Sequence, residues 1–177
     1  MSGRVILLAL LVSMLPVGVA HADDESSGHL SVEAGALVGE VGDHLTAHAL
    51  LRAEIAFRLI GPYAAGGFLQ TIVADDPMGS PPGFGGGVLL ALRPELPLLG
   101  FVPHLEVTGA RVQLPGHAQA LVDAWSIGLG AGVGARLIRE LTLEARVRHQ
   151  WWLGMTPASQ LPESAWTVSV ALTVDLP

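Results

Sequence analysis

The sequence predicts an all-β fold: a closed, eight-stranded, antiparallel up-and-down transmembrane β-barrel, preceded by a cleaved signal peptide. Three observations carry that prediction. Apolar and polar residues alternate with period two over long stretches, which is the signature of strands with two unlike faces. The charges within each stretch fall on one face, whereas a helix would scatter them around its circumference. The connections between stretches alternate between tight turns and longer polar loops, as in barrels that cross a membrane.

Composition narrows the alternatives. Half of the 177 residues are apolar and only 14% are charged, with 22 Gly, 12 Pro and no Cys. One ordinary domain fits that length. Positive mean hydropathy would suit a bundle of membrane helices, yet the one long uncharged apolar run is N-terminal and shorter than the ~20 residues a spanning helix needs. The lack of Cys excludes a disulfide framework, thiolate metal sites and a cysteine nucleophile. A net charge of −7 with no Lys argues against a nucleic-acid partner.

Residues 1–22 read as a signal peptide: Arg4 gives the positive start, Val5 to Leu15 the apolar run, and Ala20-His21-Ala22 the cleavage site. Residues 23–177 then form the barrel domain. In 30–39, Leu30, Val32, Ala34, Ala36 and Val38 oppose Ser31, Glu33 and Gly35. In 48–60, Leu51, Ala53, Ile55, Phe57 and Leu59 alternate with Arg52, Glu54, Ala56 and Arg58. Segments 63–74 and 84–93 are strands whose facing the pattern does not fix. In 101–111, Leu105 and Val107 oppose His104, Glu106 and Thr108.

Segment 120–137 places Trp125, Ile127, Leu129, Ala131, Val133, Ala135 and Leu137 on one face, and Ser126, Gly128, Gly130, Gly132, Gly134 and Arg136 on the other. Glycine weakens a strand, so a row of it on one face implies a crowded surface opposite. Strand 141–153 sets Leu141, Leu143, Ala145 and Val147 against Thr142, Glu144, Arg146, Arg148 and Gln150. Strand 165–177 alternates without a break from Trp166 to Leu176. Gly61-Pro62, Pro94 to Gly100 and Ile138 to Glu140 mark one set of connections. Glu40 to Ala47, Asp75 to Gly83, Gln113 to Ala118 and Gly154 to Ser164 mark the longer, polar set.

In this pattern the mature chain resembles the small eight-stranded outer-membrane β-barrels of the OmpA transmembrane domain and OmpX type, over its whole length. The likeness lies in the pattern and not in a motif. Aromatic residues are scarcer than in that family, and the last strand keeps its alternation to Leu176 but ends on Pro177 instead of an aromatic residue. The resemblance implies a monomer in the outer membrane of a Gram-negative cell, without the peptidoglycan-binding half of full-length OmpA. It further implies outer-membrane lipids and lipopolysaccharide as surroundings, the barrel-assembly machinery as a partner during biogenesis, and no cofactor.

If the polar faces point inward, Arg52, Arg58, Arg93, Arg136, Arg146 and Arg148 meet Glu33, Glu54, Glu106, Glu144 and Asp175 in the lumen. A barrel this small is filled by side chains, so these charges are expected to form a salt-bridged plug. With strand 120–137 across the barrel from strand 48–60, its glycines are expected to make room for Arg52, Glu54 and Arg58. Trp125, Trp151, Trp152 and Trp166 fall at one level, as an interfacial girdle would. Phe57, Tyr63 and Phe101 fall near the opposite rim.

Candidate chemistry is thin. Gly130 to Ala135 matches the G-x-G-x-x-A dinucleotide fingerprint, but strand alternation runs through it where that motif needs a helix to begin. His149 stands near the outer end of its strand, as the histidine does in the lipid A deacylases of the PagL kind, which are also eight-stranded. The serine expected two positions on is Trp151, and Ser126 is assigned to the other face, so the nucleophile is missing. Asp75 and Asp76, with Glu40, Asp43, Asp123 and Glu163, form an acidic outer rim facing only Arg111, which could hold divalent cations or simply be a solvated surface. The expected role is therefore structural, membrane-stabilising or surface-interactive and non-enzymatic. A lipid-modifying enzyme using His149 and a soluble lipocalin-like ligand binder are the alternatives.

Overall fold

The computed structural model describes residues 27–41, 44–73, 81–94, 101–115, 121–154 and 162–177. The signal-peptide reading, and Asp43, Asp75 and Asp76 of the acidic rim, lie outside them. Eight strands follow in order: β1 (Gly28–Val41), β2 (His44–Ile60), β3 (Tyr63–Val73), β4 (Gly83–Leu92), β5 (Phe101–Pro115), β6 (Leu121–Ile138), β7 (Leu141–Leu153) and β8 (Ser164–Leu176). Each pairs antiparallel with its sequence neighbour, and β1 pairs with β8, so the sheet closes on itself. Closure gives each strand a neighbour on both sides, so the central part of every strand finds its backbone hydrogen bonds inside the sheet, while the ends of β2, β5 and β6 at His44, Phe101 and Leu121 extend past one neighbour. The shortest strand has 10 residues and the longest 18, enough for a tilted strand to cross a hydrocarbon layer, which takes ~9–11.

Gly28 of β1, Leu176 of β8, the turns at 61–62 and 139–140, and the ends of β4 and β5 at Leu92 and Phe101 lie at one end, called here the terminal end. The strand ends at Val41 and His44, Val73 and Gly83, Pro115 and Leu121, and Leu153 and Ser164 lie at the other, the distal end. The first distal connection is shorter than the polar stretch 40–47 suggested, since β1 runs to Val41 and β2 starts at His44. Thr46 Oγ1 donates to the Gly39 carbonyl at 3.1 Å, tying the two strand ends together. At the terminal end the β2–β3 turn has Gly61 at φ +54°, a left-handed conformation that glycine adopts without a Cβ penalty. Register shifts next to the turns at 61–62 and 139–140, between Arg58 and Ile60 and between Arg136 and Ile138.

The barrel is apolar outside and polar within. Ile127, Leu129 and Val133 on β6, Leu143 and Val147 on β7, and Val168, Val170 and Leu172 on β8 are all exposed. Parity puts the lumen residues between them: Thr142, Glu144, Arg146, Arg148 and Gln150 on β7, and Thr167, Ser169, Ala171 and Thr173 on β8 are buried. Pairing also fixes the two strands whose pattern was mute. Phe68, Gln70 and Ile72 of β3 and Leu89 and Ala91 of β4 face inward, while Leu69, Phe84, Val88 and Leu90 face outward.

The lumen is filled in two zones. Toward the distal end, Leu37, Leu50, Ile72, Val112, Leu114 and Trp152 pack into an apolar plug that continues down the β3–β4 wall through Phe68 and Leu89. Deeper in, on the wall formed by β5 to β8, β1 and β2, the charged side chains converge. Of the four Trp expected at one outer level, three face outward and one does not. Trp125, Trp151 and Trp166 are exposed at the outer surface, but Trp152 is only 5% exposed and belongs to the plug. Parity is the reason: Trp152 follows Arg146, Arg148 and Gln150 on the inward face of β7. Phe84 joins the distal rim, and Phe57, Tyr63 and Phe101 are exposed toward the terminal end.

Candidate functional site

The concentration of chemistry in this molecule is the buried charge network of the lumen. Alternation along β7 directs Glu144, Arg146 and Arg148 inward in succession, and β1, β2 and β5 deliver Glu33, Arg52, Glu54 and Glu106 to the same depth. Arg148 grips Glu33 with both arms of its guanidinium, Nη1 to Oε1 and Nη2 to Oε2 at 3.0 Å each, while its Nε donates to Glu106. This fork-to-fork geometry is the strongest that an arginine and a carboxylate adopt.

Arg146 is the second hub. Its Nη1 donates to Glu54 at 2.7 Å and reaches Glu33 at 3.4 Å, its Nε donates to Glu144 at 2.8 Å, and its Nη2 reaches the Ser31 hydroxyl at 3.2 Å. Arg52 bridges Glu54 at 3.1 Å and Glu106 at 3.4 Å, and its guanidinium lies 3.8 Å from the centre of the Phe68 ring. Phe68 thus offers a π-face to a cation that carboxylates do not fully surround. Ser169 Oγ donates to Glu33 at 2.7 Å. Arg93 donates to Glu144 from the terminal side.

The arginines Arg52, Arg93, Arg146 and Arg148 match the glutamates Glu33, Glu54, Glu106 and Glu144 one for one, so the network is neutral as a whole. Two histidines flank it. His104 Nε2 lies 3.3 Å from Glu106, and His29 Nε2 lies 3.8 Å from Glu54. From the sequence, His104 lacks a second histidine at metal-ligand spacing and His29 is expected at a strand end or in a loop; His29 lies instead inside β1. Their parity, shared with Ser31 and Glu33 for His29 and with Glu106 for His104, was the available sign. Arg58, expected within this cluster, lies instead at the terminal mouth, half-buried beside Arg136 and Asp175.

The glycine row of β6 serves this network, though not the residues expected. A Cβ on Gly130 would stand 2.8 Å from Glu106 Cγ, one on Gly132 3.0 Å from Arg146 Cγ, and one on Gly134 2.9 Å from Glu144 Cγ. On Gly128 the nearest atom would be Thr108 Oγ1 at 2.5 Å. The space is taken by side chains of the flanking strands β5 and β7, and not by Arg52, Glu54 and Arg58 from across the barrel. Long side chains bend over their immediate neighbours to reach the axis, so relief is needed next to them.

The remaining candidates do not converge. His149 faces outward, edge-on to Trp151 with ring centres 4.3 Å apart and 4.5 Å from Trp166, while Ser126 is buried on the lumen side. Strand backbone runs unbroken through Gly130 to Ala135. Among the described residues, no group of three or more His, Asp or Glu could hold a metal ion. Arg111 meets Asp123 at 3.4 Å on the exposed distal surface, so part of the acidic rim is paired.

No protein-family model matches this chain, and no curated protein matches it in sequence. Solved structures do. Neisserial surface protein A (NspA) superposes with a TM-score of 0.66 at 12% identity, covering 85% of this chain and 98% of that one. The N-terminal β-barrel domain of Pseudomonas aeruginosa OprF gives 0.58 at 13% identity, covering 84% of this chain and 99% of that domain. At such identities the likeness speaks for architecture, and it agrees with the closed ring of strands: the chain has the fold of the small eight-stranded outer-membrane β-barrels.

Proposed function

We propose that the protein is an integral outer-membrane barrel with a structural or surface-interactive role, and that its buried charges hold the barrel shut and rigid instead of performing catalysis. The observation that carries this reading is the inverted polarity. Glu33, Glu144 and Arg148 are at most 1% exposed, while Val168 and Trp125 on the outer wall are exposed at 60% and 62%. An apolar surface encircling the molecule is a liability in water and a requirement in lipid. The aromatic side chains at the two rims fit the two interfaces of a bilayer.

Expression in a Gram-negative host, membrane fractionation and comparison of boiled and unboiled samples on a detergent gel test this directly. The protein should sediment with the outer membrane and migrate faster unboiled than boiled. Full recovery as a soluble periplasmic protein would refute the proposal and favour the lipocalin-like alternative. That alternative needs an apolar lumen and a polar wall, the reverse of the distribution seen. The lipid-modifying alternative needs a nucleophile near His149, whose ring neighbours are Trp151 and Trp166. The surrounding lipids and lipopolysaccharide, and the barrel-assembly machinery, belong to the same proposal.

A further inference from the structure

The outer wall is not evenly covered. Near the terminal end, the outward side chains of β3 to β6 stand in two cross-strand rows set by the register, Tyr63, Leu92 and Leu105 in one, Leu90, Val107 and Leu129 in the other. These side chains line a groove of about 310 Å³. Its floor is the sheet itself: Ala91, Glu106 and Gly130 also line it, and since the side chains of Ala91 and Glu106 are buried on the lumen side, they meet the groove through their backbone. The next row toward the distal end stays low. Val88 there pairs with Gly67 on one side and Gly109 on the other, and a Cβ on Gly109 would meet nothing within 4 Å.

The chemistry and length of this groove select its occupant. Tyr63 apart, every side chain facing it is aliphatic, and the backbone of its floor is already paired within the sheet. Water entering it would lack the roughly 2–4 polar partners it needs, whereas an apolar hollow of this kind stays dry and takes up hydrocarbon. On a wall surrounded by lipid that hydrocarbon is an acyl chain, and the groove is continuous with the exposed apolar surface assigned above to the bilayer core. From Leu105 to Gly109 the strand advances roughly 14 Å, close to the ~15 Å depth of one leaflet's hydrocarbon. Tyr63, half-exposed at the first position of β3, stands where such a chain meets its headgroup, the level at which an amphipathic ring is favoured.

We infer that the groove across β3 to β6 is a lipid-binding site that holds one acyl chain of a phospholipid from the leaflet at the terminal end, with Tyr63 beside its headgroup. A chain seated there touches protein on its floor and on both sides, whereas one lying on an unbroken stretch of wall touches it on one side only. The seated lipid should therefore stay when its neighbours exchange. This inference rests on the membrane reading above.

The test uses the full chain folded into vesicles of palmitoyl-oleoyl phosphatidylethanolamine and phosphatidylglycerol, then extracted into a non-ionic detergent and weighed by native mass spectrometry. One phospholipid should stay with each barrel at detergent levels that strip all others. Leu90→Trp and Val107→Trp, which put more bulk into the groove, should lower the retained fraction about tenfold, the effect of excluding roughly two methylene groups. Val170→Trp, on the outward face of β8, should leave it unchanged. Gel mobility of unboiled samples checks that each variant is folded, and if one groove variant fails to fold the other decides. Failure of the native chain to insert into vesicles would refute the membrane reading and this inference with it. The inference alone is overturned if a folded, inserted barrel retains no lipid, or sheds its lipids smoothly with no step at one. It is equally overturned if the lipid survives in Leu90→Trp and Val107→Trp, or if a second copy of the chain takes its place.

Discussion

Replacing Glu33 by Gln should destabilise the barrel by about 4 kcal/mol. Glu33 is 1% exposed and accepts both arms of Arg148 at 3.0 Å, the Ser169 hydroxyl at 2.7 Å and a longer contact from Arg146 at 3.4 Å. Glutamine keeps the size but removes the charge, and its NH₂ turns one acceptor into a donor facing a guanidinium. Two opposite charges ~4 Å apart at an effective dielectric of ~20 interact by roughly 4 kcal/mol. Breaking a buried pair typically costs ~3–5 kcal/mol, because the surviving charge is left uncompensated.

The double variant Glu33→Gln/Arg148→Gln restores neutrality. It should be less destabilised than the sum of the singles, by roughly 1–3 kcal/mol. Glu106 retains Arg52 at 3.4 Å in that variant, so its charge is not stranded. Urea unfolding in phospholipid vesicles, followed by Trp fluorescence and by gel mobility of unboiled samples, measures all four corners of the cycle. A loss below about 1 kcal/mol for Glu33→Gln, with additive singles, would mean that the network is hydrated and loosely held, and the reasoning would be wrong.

Other substitutions test the packing around this network. Gly132→Ala would bring a Cβ to 2.7 Å from the Ala145 carbonyl oxygen, a backbone atom, and should cost ~1–3 kcal/mol as overpacking. Gly109→Ala, whose Cβ meets nothing within 4 Å, should be neutral or stabilising by up to ~1 kcal/mol; the opposite order in chemical unfolding would contradict the crowding assigned to β6. Trp152→Ala should lose ~3–5 kcal/mol by opening a cavity in the plug. Trp151→Ala, which gives up an edge contact to His149 at the outer surface, should lose only ~1 kcal/mol. Equal losses in bilayers would place Trp152 outside the plug after all.

Much of the fold was legible because a barrel wall separates two unlike solvents, so a one-residue slip in facing would put every side chain on the wrong side. Strands β6, β7 and β8 state their facing openly for that reason. Strands β3 and β4 do not: Gly66, Gly67 and Gly85 to Gly87 carry no side chain to sort, and both faces of β4 are largely apolar. Only pairing fixes them, through Leu69 opposite Gly86 and Phe68 opposite Gly87.

The distal plug was missed for a related reason. Leu37, Leu50, Ile72 and Leu114 are apolar yet share the parity of lumen residues, because the distal part of the lumen is closed by hydrophobic packing and not by charge. Trp152 was misplaced by weighing its level along the strand above its parity with Arg148 and Gln150. The partners of the β6 glycines were beyond reach from sequence, since they depend on how Glu106, Glu144 and Arg146 bend once β5 and β7 are in register.

The central claim is that lipid meets one face of each strand and the packed lumen the other. Because the chain has no native Cys, single-cysteine spin labels can be read without background along β8 in lipid vesicles, from Thr167→Cys to Thr173→Cys. Oxygen accessibility should be high at Val168, Val170 and Leu172, low at Thr167, Ser169, Ala171 and Thr173, and the outward sites should be shielded from a water-soluble paramagnetic reagent. A profile without period two, or one with its maxima at Ser169 and Ala171, would contradict the account.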